Sequence, residues 1–441
     1  MTPDRMRASE IAGLCAFGFA VRVAVALLTP VPAEDAANYL WMAERFAAGD
    51  AASAVSEVFP PGLPLLVAPI VALGVDPFRG GQFVLAVVAA LGLWPCVRIA
   101  EHAEPRTARA TGWLLALVPL AVRFVGQVYT EPLFATLAAW ALLFALRGRH
   151  WFSGIAAAAA FWTRPEALAL PAANLVLGRT RGAVALVPLA LGVLLLAAWR
   201  AGAGQPFELL PKLAFNAARG DAGLGLDGVA WRTIAGNLLA FPGAWLEAFW
   251  GAGLLAIAGA WASRRGRDAR AFAAVFAVAA LAIVAFLVRR RFLVAWLPVL
   301  ALFVPVALAG LRERTRYVAQ IVVVLTSIFG CLRLEPHDRH AERVLGEWLR
   351  SMLKTGESVA GDMTRVIWFS GGRPLSPRHF SPDELIEAAR RPGVRFVVLA
   401  GRRDGRTAIA ESLAPEFTPT GLPSRERRAA ELRGMIVLER R

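Results

Sequence analysis

A chain of 441 residues that is 57% hydrophobic, with a positive mean hydropathy and many apolar runs near twenty residues, is excluded from the soluble globular classes and predicts a polytopic membrane protein. Its formal net charge of +15 does not point to nucleic acid, because the arginines fall mostly in short loops between apolar runs, where they act as topology determinants. Lysine is nearly absent (Lys212 and Lys354), and three widely separated cysteines, Cys15, Cys96 and Cys331, exclude a disulfide framework and a cysteine-based metal site.

In chain order, Arg5 and Arg7 precede an apolar stretch that Arg22 interrupts; with no clear small-residue cleavage site, it reads as a retained signal anchor. Run length and polar breaks then predict about eleven spans, over residues 11–29, 80–99, 109–127, 131–147, 150–163, 165–178, 182–200, 240–262, 271–288, 292–311 and 317–333. With the N-terminus cytoplasmic, the clusters Arg98/Arg106/Arg109, Arg147/Arg149, Arg179/Arg181, Arg264/Arg265/Arg267/Arg270 and Arg312/Arg314/Arg316 all fall inside. Arg289, Arg290 and Arg291 alone fall outside, where they serve no topological purpose. The proline-rich segment Pro60 to Val75 is too short to span and is laid on the outer surface as a juxtamembrane helix. The two short spans flanking Thr163-Arg164-Pro165-Glu166 form a charged break, tolerated in a membrane only where it lines a polar cavity. Two long outer loops are expected, 30–79 and 201–239, the second carrying Lys212, Asp221 and Asp227. Beyond Cys331, helix-like segments (His340 to Leu353, Pro382 to Arg391) alternate with strand-like ones (Ser358 to Gly361, Val394 to Ala400, Met435 to Leu438). This predicts a helical membrane domain over 1–333 and a small outward-facing α/β domain over 334–441.

Charged residues near the outer side are the candidates for chemistry. Glu34 and Asp35 open an amphipathic stretch that contains Tyr39 and Glu44; helix capping alone accounts for two acids there, and so does a base at the mouth of the first long loop. Glu131, in Tyr129-Thr130-Glu131-Pro132, opens a span on the same side, with capping again the simpler account. Arg164 and Glu166 form either a structural ion pair or part of a site. The Arg289 to Arg291 triplet suits phosphate, since a guanidinium donates two parallel hydrogen bonds and keeps its charge; snorkelling to lipid headgroups is the alternative. His337, Asp338 and His340 do not form a defensible metal-ligand pattern, and the sequence has no phosphate-binding glycine loop, dinucleotide fingerprint or nucleophile elbow.

Taken in order, Glu34-Asp35 with Tyr39, the run Phe59-Pro60-Pro61-Gly62-Leu63-Pro64-Leu65-Leu66, Thr130-Glu131-Pro132-Leu133-Phe134, Thr163-Arg164-Pro165-Glu166 and Arg290-Arg291-Phe292 with Pro298 resemble the GT-C-fold glycosyltransferases. The resemblance is to their bacterial integral-membrane branch related to protein O-mannosyltransferases and aminoarabinose transferases, and it covers most of 1–333. It implies that Asp35, or its neighbour Glu34, is the catalytic acid of the first outer loop. Arg290 and Arg291, helped by Arg164, would bind the donor phosphate. Glu131, Tyr39 and Glu166 would orient the acceptor or a metal. Two departures stand out: the order Glu-Asp where many relatives have Asp-Glu, and no histidine that aligns with the one some relatives place near a metal.

The implied activity is that of an inverting glycosyltransferase in the bacterial inner membrane. It would move a monosaccharide from a polyprenyl-phosphate donor to a protein, lipid or glycan acceptor at the periplasmic face, with no required cofactor, an optional divalent cation and no nucleic-acid partner. Two rivals share the lipid-linked sugar: a flippase or transporter, which predicts inverted repeats and polar residues near the midplane, and a glycan ligase or polymerase, which predicts a larger transferred unit.

Overall fold

The computed structural model describes residues 5–56, 58–209, 224–225, 228–229, 231–286, 289–332, 339–374, 381–400 and 405–441. Helices make up most of residues 8–332, and a four-stranded sheet with flanking helices fills the C-terminal region. The expected domain boundary at 333/334 lies outside the described residues, as do Lys212, Asp221, Asp227, His337 and Asp338.

Proline sets where many of the helices begin. Pro77, Pro105, Pro119, Pro132 and Pro171 each sit in a first turn, where the missing N–H leaves no hydrogen bond unmade. Side chains cap two of these starts: Asp76 accepts from the Arg79 N–H at 2.9 Å and Glu104 from the Arg106 N–H at 3.3 Å. The same punctuation cuts the apolar runs. Among the described residues, Ala8–Leu27, Pro77–Ala103 and Pro165–Gly202 are long and apolar enough to cross a membrane; Pro105–Ala116 with Pro119–Gly126, bent by 41°, and Ile234–Phe249 with Gly251–Ser263, bent by 114°, raise three to five if each pair is one span. Length and composition therefore do not carry the count to eleven. The expected span 240–262 is the clearest difference, since Trp250 adopts φ 52° and turns the chain sharply ahead of Gly251.

The packed centre is the helix Leu297–Gly310, buried along nearly its whole length among Leu93–Ala103, Pro105–Ala116 and Gly251–Ser263. Just before it, Trp296 is fully buried edge-on against Phe134, ring centroids 5.3 Å apart. A second cluster forms around the helix Glu34–Ala47, where Tyr39, Leu40 and Met42 meet Phe59, Leu63, Val67 and Val128.

Two polar features connect the apolar frame to the outer helices. The Gln82 amide donates to the carbonyls of Ala26 at 3.1 Å, Thr29 at 3.4 Å and Gly126 at 2.7 Å, satisfying helix-end oxygens from two other segments. Ala33 N–H then donates to Gln127 O at 2.9 Å, fixing the linker that delivers Glu34 and Asp35. Gly62 opens the helix Gly62–Ala72 in the segment expected to lie outside the spans, and its N–H donates to Trp162 O at 2.8 Å. A Cβ at Gly62 would lie 2.6 Å from that oxygen, so only glycine allows the proline-rich turn to rest on the chain just ahead of Arg164.

In the C-terminal region the strand order is Ser358–Gly361, Val394–Ala400, Met435–Arg440, Phe417–Pro419; the first pair is parallel and the other two antiparallel. The three predicted strands and the helices His340–Met352 and Pro382–Arg390 lie where alternation placed them, while Phe417–Pro419 was not expected. The short helix Thr364–Phe369 packs on Glu34–Ala47, and its Trp368 enters the cluster around Tyr39.

Candidate active site

Four segments distant in sequence meet at one end of the helical frame. Asp35 lies in the first turn of Glu34–Ala47, Tyr129 and Glu131 flank the start of Glu131–Leu146, Arg164 and Glu166 occupy the break before Pro171–Gly178, and Arg291 opens the short helix Arg290–Val294. Arg291 Nη1 donates to Asp35 Oδ2 at 3.0 Å across 256 residues of sequence. Arg164 donates from Nη1 to Glu131 Oε1 at 2.5 Å and from Nη2 to Glu166 Oε1 at 2.6 Å. The Phe292 ring lies against both cations, 4.9 Å from the Arg291 guanidinium and 5.2 Å from that of Arg164, while Tyr129 lies 5.9 Å from Arg291. Two guanidiniums thus face three carboxylates around one aromatic ring.

Burial distinguishes the two ion pairs. Arg164 and Glu131 keep 7% and 2% of their side-chain surface, so each depends on the other for its charge. Asp35 and Arg291 keep 24% and 21%, a pair open enough to exchange partners. Burial works against the Arg291 charge, but Asp35 and Glu131 more than offset it and hold its pKa above the ordinary range. Burial likewise pushes the Tyr129 phenol up, with Asp35 and Glu131 adding to the shift and Arg291 opposing it, so Tyr129 stays protonated as a donor at neutral pH. Val128, immediately before it, is buried at φ 58°, a conformation costly for a β-branched residue and one that fixes how the chain enters Tyr129.

The remaining candidates are placed as follows. Tyr39 is 2% exposed, edge-on to Phe59 at 5.2 Å, and interacts electrostatically with Arg164. Glu34 is exposed and interacts instead with Arg365 of the C-terminal region. Arg290 is exposed and pairs with Glu247 at 3.4 Å, and Arg289 is also exposed, so the triplet contributes one residue, Arg291, to the cluster. Tyr129 and Phe292 were not singled out as site residues from sequence, although Phe292 follows Arg291 directly and Tyr129 lies two residues before Glu131; their signal was an aromatic ring close to a charge at the edge of an apolar run. Among the described residues no group of three or more His, Cys, Asp or Glu side chains could hold a metal ion, and Asp35, Glu131 and Glu166 are each already bound by an arginine. As placed, the donor set does not fit a divalent-ion site.

No family model matches the sequence, and no curated protein matches it. Among solved structures, the fold is similar to ArnT from Cupriavidus metallidurans bound to undecaprenyl phosphate, with a TM-score of 0.69 over 98% of both chains at 14% identity. The apo form of that protein gives 0.63 at 15% identity, over 97% of this chain and 98% of that one. The Archaeoglobus fulgidus oligosaccharyltransferase in complex with Zn and sulfate gives 0.58 at 13% identity, over 90% of this chain and 69% of its own. At these identities the likeness is one of architecture, and it is nearly end to end: the chain has the GT-C fold.

Proposed function

We propose that the chain is an inverting glycosyltransferase that takes a monosaccharide from a polyprenyl phosphate and passes it to a hydroxyl-bearing acceptor at the periplasmic face of the bacterial inner membrane. The observation that carries the reading is the half-buried Asp35–Arg291 pair beside the buried Arg164, a carboxylate and two guanidiniums in one place. The undecaprenyl phosphate bound by ArnT of the same fold supports a lipid phosphate as the donor's carrier.

In this mechanism the donor phosphate engages Arg291 and Arg164, and by taking up Arg291 it releases Asp35 Oδ2. Asp35 then accepts the proton of the acceptor hydroxyl as that oxygen attacks the anomeric carbon from the face opposite the phosphate. The bond from the anomeric carbon to the phosphate oxygen breaks, the phosphate keeps the electron pair, and the two guanidiniums hold the developing charge. Glu131 and Glu166 keep Arg164 in position, and Tyr129 donates toward the phosphate. Metal assistance is not needed for charge balance, since two arginines supply the positive charge. In the outward-facing arrangement the N-terminus is cytoplasmic and the C-terminal sheet is periplasmic.

The test is transfer from a radiolabelled polyprenyl-phosphate sugar by membranes carrying wild-type protein or Asp35→Asn. The substitution is expected to lower transfer by about 100-fold or more, the usual contribution of a general base; equal transfer would overturn the assignment of the base. The archaeal oligosaccharyltransferase likeness gives a ligase reading some support, and the mass added to the acceptor distinguishes one sugar from a preassembled glycan.

A further inference from the structure

The C-terminal region grips the helix that carries Asp35 along its length. Ahead of the helix, Arg343 Nη1 donates to Pro30 O at 3.1 Å, on the linker that leads to Glu34. Within it, the Arg373 guanidinium lies 4.8 Å from the centre of the Trp41 ring. The short helix Thr364–Phe369 packs against it as well, and Trp368, 8% exposed, enters the Tyr39 cluster and hydrogen-bonds to Glu44.

A helix of six residues has too few hydrogen bonds to hold itself together. Thr364–Phe369 is instead tied from behind by a buried ion network. Arg365 donates to Glu342 from Nε to Oε2 at 2.6 Å and from Nη2 to Oε1 at 3.1 Å, and Arg433 Nη2 reaches the same Oε1 at 2.8 Å. Arg365 and Glu342 keep 6% and 3% of their side-chain surface. Glu342 belongs to His340–Met352 and Arg433 ends Ser424–Arg433, so one carboxylate joins three helices of the C-terminal region. Glu34 and Tyr129 also act electrostatically on Arg365, which puts the network at the edge of the charged cluster.

Donor binding gives this grip a task. When phosphate takes up Arg291, the ion pair that ties Asp35 to the far side of the site is given up, at the step where Asp35 must stay aimed at the acceptor hydroxyl. The contacts from the C-terminal region do not use Arg291 and persist through that exchange. We propose that the Glu342–Arg365–Arg433 network makes Thr364–Phe369 a clamp on Glu34–Ala47, and that Arg365 is thereby a positioning residue for Asp35. The clamp acts through packing rather than through the charge on Glu34. The kinetic part of this inference rests on the glycosyl-transfer reading; the mechanical part rests on the contacts alone.

The experiment uses the full-length protein in lipid nanodiscs and has two readouts. The first is amide hydrogen exchange. In Arg365→Met, Arg433 still neutralises Glu342, so the strands Val394–Ala400 and Met435–Arg440 keep their protection, while Glu34–Ala47 is expected to exchange about tenfold faster. Trp368→Leu leaves the buried network whole and is expected to loosen the same helix; should Arg365→Met unprotect the strands too, Trp368→Leu decides alone. Wild-type exchange across Glu34–Ala47 in Arg365→Met would overturn the role of the network, and in Trp368→Leu the clamp itself, whether or not the protein transfers sugar.

The second readout is transfer kinetics. Arg365→Met is expected to lower kcat about tenfold or more, with KM for the polyprenyl-phosphate sugar within about twofold of wild type, because Arg291 and Arg164 lie outside the clamped contact. Arg365→Lys, which can still donate to Glu342, is expected to restore much of kcat. A wild-type kcat in Arg365→Met, a rise in KM with kcat unchanged, or an Arg365→Lys no better than Arg365→Met would overturn the positioning role.

Discussion

Glu34 and Asp35 are neighbours whose side chains leave the helix about 100° apart, and this decides which is useful. Asp35 meets Arg291 and the cation cluster, whereas Glu34 is exposed toward Arg365. Glu34→Gln is therefore expected to leave transfer within about twofold of wild type, in contrast with Asp35→Asn; a loss as deep as that of Asp35→Asn would reverse the two roles. The buried Arg164 gives the sharpest stability test. Arg164→Met leaves Glu131 charged and enclosed and is expected to cost about 3–5 kcal/mol, while Arg164→Met combined with Glu131→Leu costs much less than the sum of the two single changes. Thermal melting in detergent measures both. From sequence, an acidic pair, a glutamate and arginines were expected to lie together on the outer side. The sequence did not show that Arg291 rather than Arg290 joins them, because that depends on how the chain enters the five-residue helix Arg290–Val294.

At the scale of elements, Gly62 joins the helix Gly62–Ala72 to the chain that carries Arg164. Gly62→Ala forces the Trp162 carbonyl to move and is expected to cost about 1–3 kcal/mol, with a loss of transfer larger than that destabilisation alone would cause. The contact of the C-terminal region is also testable. Glu44, partly buried on Glu34–Ala47, is pushed above its ordinary pKa of 4.5 by burial, an effect that a hydrogen bond from Trp368 and the charges of Arg45 and Arg350 only partly offset. A raised folded-state pKa means that the folded protein holds the proton more tightly. Stability therefore falls as pH rises from 4.5 through the raised value, and Glu44→Gln flattens that dependence. Melting temperatures followed across about pH 4 to 7 would show the difference, and identical slopes in both proteins would refute it. Strands such as Val394–Ala400 were legible because a short β-branched run bounded by Gly393 has no other comfortable conformation. The bend at Trp250 was not, because nothing local requires a tryptophan to take a positive φ; packing of Gly251–Ser263 against Leu297–Gly310 imposes it.

At the scale of the whole molecule, the order of charged motifs was legible and their convergence was not. Four segments between residues 35 and 291 have no sequence signal for distance, and the polar joints that gather them, such as Gln82, look unremarkable in an apolar run. The same gathering shapes the boundary with lipid. Leu297–Gly310, with 14 residues, and Glu131–Leu146, with 16, rise only about 21–24 Å, short of a hydrocarbon layer of about 30 Å. In the proposed membrane placement, helices this short would set the floor of the charged cluster below the headgroup plane. A donor of the proposed kind, with an isoprenoid chain, would then keep its tail among the acyl chains while only its phosphate slips sideways into a recess. On that proposal, turnover is expected to be slower in membranes of long saturated lipids and faster in thin ones.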